Sequence, residues 1–169
     1  MATYNNDEIE NLLLQYSNMV YRLAFIQMKT KEQAEDILQD VFLKLMQQTN
    51  RLESPEHEKA WLIRTTINCC RDYWKSAWFK RRAPMDEITY TANTISPDKS
   101  SSTGFITQCV KKLPVKYRQI IHLYYYEEYS LKEISVILQI NENTVKTRMV
   151  RGRELLKKYL GEEACNYEF

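Results

Sequence analysis

SLKEISVILQINENTVKTRMVRGRELLKK, residues 130–158, contains two helical patterns separated by about three residues. Ser130 and Glu133 have capping-box spacing and open a short helix over 131–138. Asn141 caps a second helix over 142–160, and Ile140 and Val145 flank that cap as a hydrophobic staple. Two helices at this separation have helix-turn-helix spacing. Ile134, Leu138, Ile140, Val145, Met149 and Leu156 can share one small core. Asn143, Lys146, Thr147, Val150, Arg151 and Glu154 step by three and four along the other face.

The chemistry of that outer stripe suits duplex DNA. Lys and Arg can donate to guanine O6 and N7, and the Asn143 amide can bond adenine or phosphate. Arg148 and Arg153 flank the stripe and suit phosphate contacts, which position a protein without reading sequence. Glu142 in the first turn fits the helix dipole. The plainer alternative is a solvated basic helix in a bundle, because charge runs are usually solvent faces. Spacing alone leaves both readings open.

Residues 142–158 carry six basic side chains against two acidic ones, yet the 169-residue chain has a formal net charge of only +2. The compensating acid lies upstream. Residues 1–48 hold seven acidic and four basic side chains. Here Asn5 and Glu8 have capping-box spacing, ahead of a helix over 5–28 that carries Ile9, Leu12, Leu13, Tyr16, Val20, Leu23 and Ala24 at helical intervals. Thr30 with Gln33 starts a second helix, whose apolar stripe is Ala34, Ile37, Leu38, Val41, Phe42 and Leu45. Glu35, Asp36, Gln39 and Asp40 lie on its other faces. An acidic face would repel phosphate, so it points away from DNA or meets a basic protein.

After the loop TNRLESPE (49–56), Ser54-Pro55 signals a third helix over 56–82. Trp61, Tyr73, Trp74, Trp78 and Phe79 are interleaved there with Lys59, Arg64, Arg71, Lys75, Lys80, Arg81 and Arg82. Against Glu58 and Asp72, residues 57–82 carry a basic surplus of five. Basic groups attract phosphates and aromatic faces stack on unpaired bases. Core packing is the competing reading for the rings, Trp61 included.

Three glycines and four prolines in the whole chain favour long helices over strands and tight turns. With 44% apolar and 27% charged residues the chain is globular. The expected fold is all-α, with two small helical domains over 1–82 and 104–162. The polar, aperiodic segment APMDEITYTANTISPDKSSST (83–103) forms a flexible linker between them, and contains Asp86, Glu87 and Asp98. Helices over 104–112 and from Pro114 to about Tyr126 complete the second module. Each module is near the lower size limit for independent folding, so a partner is expected to stabilise it. No apolar run approaches the roughly 20 residues of a membrane span, and the polar N-terminus is not a secretory signal. Cys69, Cys70, Cys109 and Cys165 lack regular spacing and read as reduced cytoplasmic thiols. No metal site, cofactor or catalytic residue is expected.

Over residues 10–160 the chain resembles bacterial RNA polymerase sigma factors of the extracytoplasmic-function (ECF) type. AEDILQDVFLKL (34–45) is similar to that family's region 2 motif. WLIRTTINCCRDYWK (61–75) is similar to the helix that melts and reads the −10 element, with Trp61, Leu62, Arg64, Asn68 and Asp72 in the matching places. Residues 113–158 resemble region 4, which binds the −35 element. The three motifs, in this order and with a linker between the second and third, are highly specific together.

The resemblance implies a promoter-specificity subunit without covalent chemistry of its own. Asp36, Gln39 and Asp40 would dock on the polymerase β′ clamp coiled coil, and region 4 would sit on the β flap. The loop 49–56, with Asn50, would hold a flipped −10 base beside Trp61, Arg64, Asn68, Arg71 and Lys75. The −35 contacts would come from Asn143, Lys146, Thr147, Arg148, Val150 and Arg151. An anti-sigma protein, often membrane-anchored in this family, is the further partner implied. The chain departs from the family pattern at Glu142-Asn143, where proline and glycine are frequent, and at Thr65 and Thr66, where aliphatic residues are common. Gly152 replaces the usual alanine and is expected to loosen its helix by about 1 kcal/mol.

Overall fold

The computed structural model describes residues 3–81 and 102–167, and every regular element among them is an α-helix. The side chains of residues 78–81, 102–103 and 163–167 and all of residues 82–101 lie outside what is described, and with them the sequence readings for Trp78, Phe79, Lys80, Arg81, Arg82, Asp86, Glu87, Asp98 and Cys165; of the expected linker 83–103, residues 102 and 103 belong to a helix. The chain divides into two compact units, Met1–Met85 and Asp86–Phe169.

The first unit is a three-helix bundle of α1 (Asn6–Gln27), α2 (Lys31–Met46) and α3 (Pro55–Arg81). Both predicted capping boxes are formed. The Asn5 side chain accepts from the Glu8 N–H and the Glu8 carboxylate accepts from the Asn5 N–H. Thr30 and Gln33 make the same exchange at α2. Each box satisfies backbone donors that a helix start otherwise leaves exposed. Val20, Leu23 and Ala24 of α1, Ala34, Ile37, Val41 and Leu45 of α2, and Leu62, Ile63 and Ile67 of α3 are buried together. Each fully buried aliphatic side chain of this size contributes about 1.5–3 kcal/mol. Leu38 is only half-buried. The α1–α2 corner is pinned by Trp74, whose indole N–H donates to the Gln27 carbonyl at 3.2 Å while Lys29 Nζ lies 5.6 Å from the ring centroid.

The second unit comprises α4 (Ser102–Lys112), α5 (Val115–Tyr125), α6 (Leu131–Leu138) and α7 (Glu142–Tyr167). Its last helix runs beyond the expected end at 160. Cys109, Val110, Leu113, Ile120, Ile121, Leu123, Ile134, Val145 and Met149 form the core, while Leu138, Ile140 and Leu156 are half-buried at its margin. The turn joining α6 to α7 is Gln139-Ile140-Asn141. Gln139 takes the left-handed conformation (φ 55°, ψ 44°) that stops α6, and its N–H returns to the Ser135 and Val136 carbonyls. The Ile140 N–H also returns to the Ser135 carbonyl, at 3.1 Å. A left-handed residue at this position is what lets α7 leave at an angle instead of continuing the helix.

Two features of this unit have no periodic signature. Arg118 is 1% exposed; its Nε and Nη2 donate to the Leu113 carbonyl at the end of α4, at 3.2 and 2.6 Å. His122 is equally buried, stacked on Tyr126 with ring centroids 5.1 Å apart, and its Nε2 lies 3.6 Å from Glu127 Oε1. The core of this unit is therefore partly polar.

Gly152 corrects a sequence expectation. It is buried where α7 crosses α5, and a Cβ there would lie 3.2 Å from Tyr117 Cβ and 3.3 Å from Ile121 Cγ1. The missing side chain permits close helix approach, so the helix-propensity cost is offset by packing. Tyr117 Cβ is fixed to the α5 backbone and yields little. Gly152→Ala is accordingly expected to bring no net gain in stability, despite alanine's advantage of about 1 kcal/mol in a free helix. Gly152→Leu should cost about 1–3 kcal/mol through overpacking, read as a lower urea midpoint by circular dichroism. A stabilised Gly152→Leu protein would refute the close-packing account.

Burial, with Arg118 as a second cause, pushes Lys111 down to about 8 from its ordinary 10.5. Between those values the unfolded chain holds a proton that the folded chain has lost, so stability rises with pH over this window. Removing that titration in Lys111→Met should flatten the rise relative to the parent protein, measured by urea midpoints from pH 7.5 to 10.

Candidate nucleic-acid and polymerase surfaces

The Asn141 side chain starts α7 by accepting from the Asn143 N–H at 2.8 Å. Burial of Val145 and Met149 fixes the helix's rotation. Asn143, Lys146, Thr147, Val150, Arg151 and Glu154 are then all exposed. Lys146, Thr147, Val150, Arg151 and Glu154 line one shallow, open depression. The Thr147 hydroxyl donates back to the Asn143 carbonyl at 2.9 Å, so its proton is committed while its oxygen can still accept. Val150, 54% exposed, supplies an apolar centre of the kind that meets a thymine methyl. Lys146 Nζ lies 3.4 Å from Glu142 Oε1, one turn back.

Arg148 does not join this group. At about 100° per residue it lies about 160° around the helix from Val150, and it is half-buried. Arg153 is more constrained than a free phosphate contact. Its Nε donates to Tyr125 Oη at 2.9 Å, and its guanidinium lies 5.3 and 5.6 Å from the Tyr124 and Tyr125 rings. The run of three tyrosines at 124–126 was the available signal for such a clamp, but its partner lies 28 residues away.

On α3, Trp61, Arg64, Asn68, Arg71 and Lys75 again step by three and four and share one face. Asn68, Arg71 and Lys75 are exposed, while Trp61 and Arg64 are half-buried. Trp61 is thus neither core nor fully solvated. The opposite face carries Leu62, Ile63, Thr66, Ile67, Cys69 and Cys70, all buried. Thr66 fits there because its hydroxyl donates to the Leu62 carbonyl at 2.7 Å. Burial pushes both thiols up, most strongly Cys70, which opposes thiolate chemistry at this pair. Among the described residues no group of three or more His, Cys, Asp or Glu side chains is placed to hold a metal ion. None of the described helices is long and apolar enough to cross a membrane.

On α2, Asp36, Gln39 and Asp40 are exposed and adjacent on the helix surface. The same stripe continues through Leu43 and Met46, 53% and 48% exposed. Sequence reasoning registered the acid and missed these two apolar side chains, although Leu43 lies seven residues beyond Asp36. The face is thus acidic at one end and apolar at the other. Asn50, in the segment linking α2 to α3, is exposed.

Residues 12–80 match Sigma-70 region 2 and residues 106–156 match Sigma-70 region 4. The chain is similar to ECF RNA polymerase sigma factor SigW of Bacillus subtilis, 30% identical with 92% of this chain and 90% of that protein covered. It is also similar to ECF RNA polymerase sigma factor SigM of the same organism, at 31% identity over 88% and 93% of the two chains. Among solved structures, that of the sigma factor RpoE in complex with the anti-sigma factor NepR from Bartonella quintana shares the fold. Its TM-score is 0.74 at 20% identity, covering 90% of this chain and 96% of that one. Region 2 and region 4 thus fall on the two units whose exposed stripes are described above, and the chain belongs to the ECF RNA polymerase sigma factors, the promoter-specificity subunits with which RNA polymerase starts transcription.

Proposed function

We propose that the two units divide the promoter between them. Residues 1–82 bind core polymerase and the −10 element, the helices from α4 onward bind the −35 element, and the segment between α3 and α4 tethers the two. The observation that carries this reading is the sorting of charge by face: acid at Asp36 and Asp40 on α2, base along the α7 stripe and along the Arg64, Arg71 and Lys75 stripe of α3. Asp36, Gln39 and Asp40 dock on the basic coiled coil of the β′ clamp, and exposed Leu43 and Met46 extend that contact with apolar area. The α7 stripe enters the major groove at the −35 element. Lys146 and Arg151 donate to base edges there, Thr147 and Val150 offer methyl groups, and Asn143 reaches base or phosphate. Arg148, off the stripe, flanks it on the phosphate side.

At the −10 element, Arg64, Arg71 and Lys75 follow the phosphates of the melted strand. Trp61 and Asn68 face its bases, and Asn50 lies in the loop that receives a flipped base. Capture of this kind offsets the cost of unpairing by stacking and hydrogen bonding. The protein performs no covalent chemistry and works in the cytoplasm, where the polymerase is. An anti-sigma protein is its regulatory partner, as NepR is for the similar RpoE. Region 4 rests on the β flap.

Run-off transcription from a promoter library, with core polymerase alone and with this protein added, tests the reading and identifies the promoter together. Equal output in the two reactions would sink it. Asp40→Arg should weaken core binding by roughly tenfold or more through like-charge repulsion while leaving affinity for −35 duplex unchanged. Loss of both together would overturn the division of labour. Affinity for −35 duplex should fall with salt along a log–log slope of roughly −4 to −5, as expected for about five neutralised phosphates.

A further inference from the structure

The residues ahead of α1 reach across to the segment between α2 and α3. Thr3 Oγ1 donates to the Thr49 carbonyl. The Leu52 N–H donates to Tyr4 Oη at 3.0 Å, and both residues are 7% exposed. The Arg51 guanidinium lies over the Tyr4 ring, 5.6 Å from its centroid, and also bonds to Glu8 Oε1. The other Glu8 oxygen accepts from the Asn5 N–H at 2.9 Å, so the α1 capping box fixes this carboxylate. The Asn5 N–H and the Arg51 guanidinium hold the Glu8 carboxyl below its usual range.

The partners in these hydrogen bonds are 43 to 48 residues apart in sequence. The far end of the loop is tied as well, by Tyr16 Oη donating to the Pro55 carbonyl at 3.3 Å. Thr49, Arg51 and Leu52 are therefore each held from outside the loop, with exposed Asn50 between them.

We propose that Tyr4, Glu8 and Arg51 are positioning residues: a clamp that orders the 49–52 loop in advance and presents Asn50 in one orientation to an unpaired −10 base. The proposal rests on the reading of this loop as a base receptor. A loop ordered before binding does not lose its conformational entropy at the moment of capture. A held amide also discriminates between bases, because a wrong base leaves its donors and acceptor unmatched, whereas a mobile loop can adapt to either. Arg51 acts as a strut here, with its charge met by Glu8 and its face by Tyr4, and does not contribute a phosphate contact.

The test uses full-length protein with core polymerase on premelted promoter DNA randomised across the −10 element of the non-template strand. Retained sequences are counted for the parent, Tyr4→Phe and Arg51→Ala. Tyr4→Phe keeps the ring and strands the buried Leu52 N–H. It should lower base discrimination about five- to tenfold at one or two positions, the worth of one buried hydrogen bond. Arg51→Ala should flatten the same positions without changing the salt dependence of binding. An abasic nucleotide at those positions should erase the difference between Tyr4→Phe and the parent.

Unchanged profiles in both variants would overturn the clamp, as would an equal loss at every position or a difference that survives the abasic substitution. A parent protein with no −10 base preference would instead overturn the loop's receptor role, and the clamp with it.

Discussion

A helical unit of about 80 residues has room for one core, and each of its helices can contribute only one stripe to that core. In the first unit α1, α2 and α3 spend those stripes on one another, and the burial of Val20, Leu23, Ala34, Val41 and Ile63 fixes the rotation of each helix. Every remaining surface is then assigned. Rotation that buries Ile37 and Val41 turns Asp36 and Asp40 outward, and rotation that buries Ile63 and Ile67 turns Asn68 and Arg71 outward. The exposed stripes are the complement of the core, and they cannot be moved without dismantling it.

The same constraint explains how a nearly neutral chain can serve DNA. Distributed evenly, its charges would give a weak and undirected field. Sorted by face, they give α2 an acidic stripe and give α7 and one stripe of α3 a basic one, so one small protein carries local fields of both signs. The exposed apolar Leu43 and Met46 lie beside the α2 acids, so that face combines charge, which orients a partner, with apolar area, which adds affinity.

Helix number, helix type and most caps were legible because they depend on residues within one or two turns of each other. Asn5 with Glu8, Thr30 with Gln33 and Ser130 with Glu133 are three-residue patterns, and all three form as read. The exposed stripe of α7 was legible for the same reason. Its flank was not. Arg148, read as a flanking phosphate contact, is half-buried and lies well around the helix from Val150, and Arg153 is held by tyrosines of another helix. Gly152 looked like a weakness because propensity is a local quantity, while the space it provides is shared with Tyr117 and Ile121.

By itself the sequence determined the all-helical class, the helix starts, the sorting of charge among helices and the family, because periodicity, capping and motif order are encoded over short separations. Only the tertiary structure decided which polar groups are buried, as with Arg118 and His122, and that Leu43 and Met46 stay exposed. It also decided that the chain's first residues hold the loop before α3. Those outcomes depend on partners that are tens of residues apart in sequence and meet only after the helices have packed, and no local pattern encodes such a meeting.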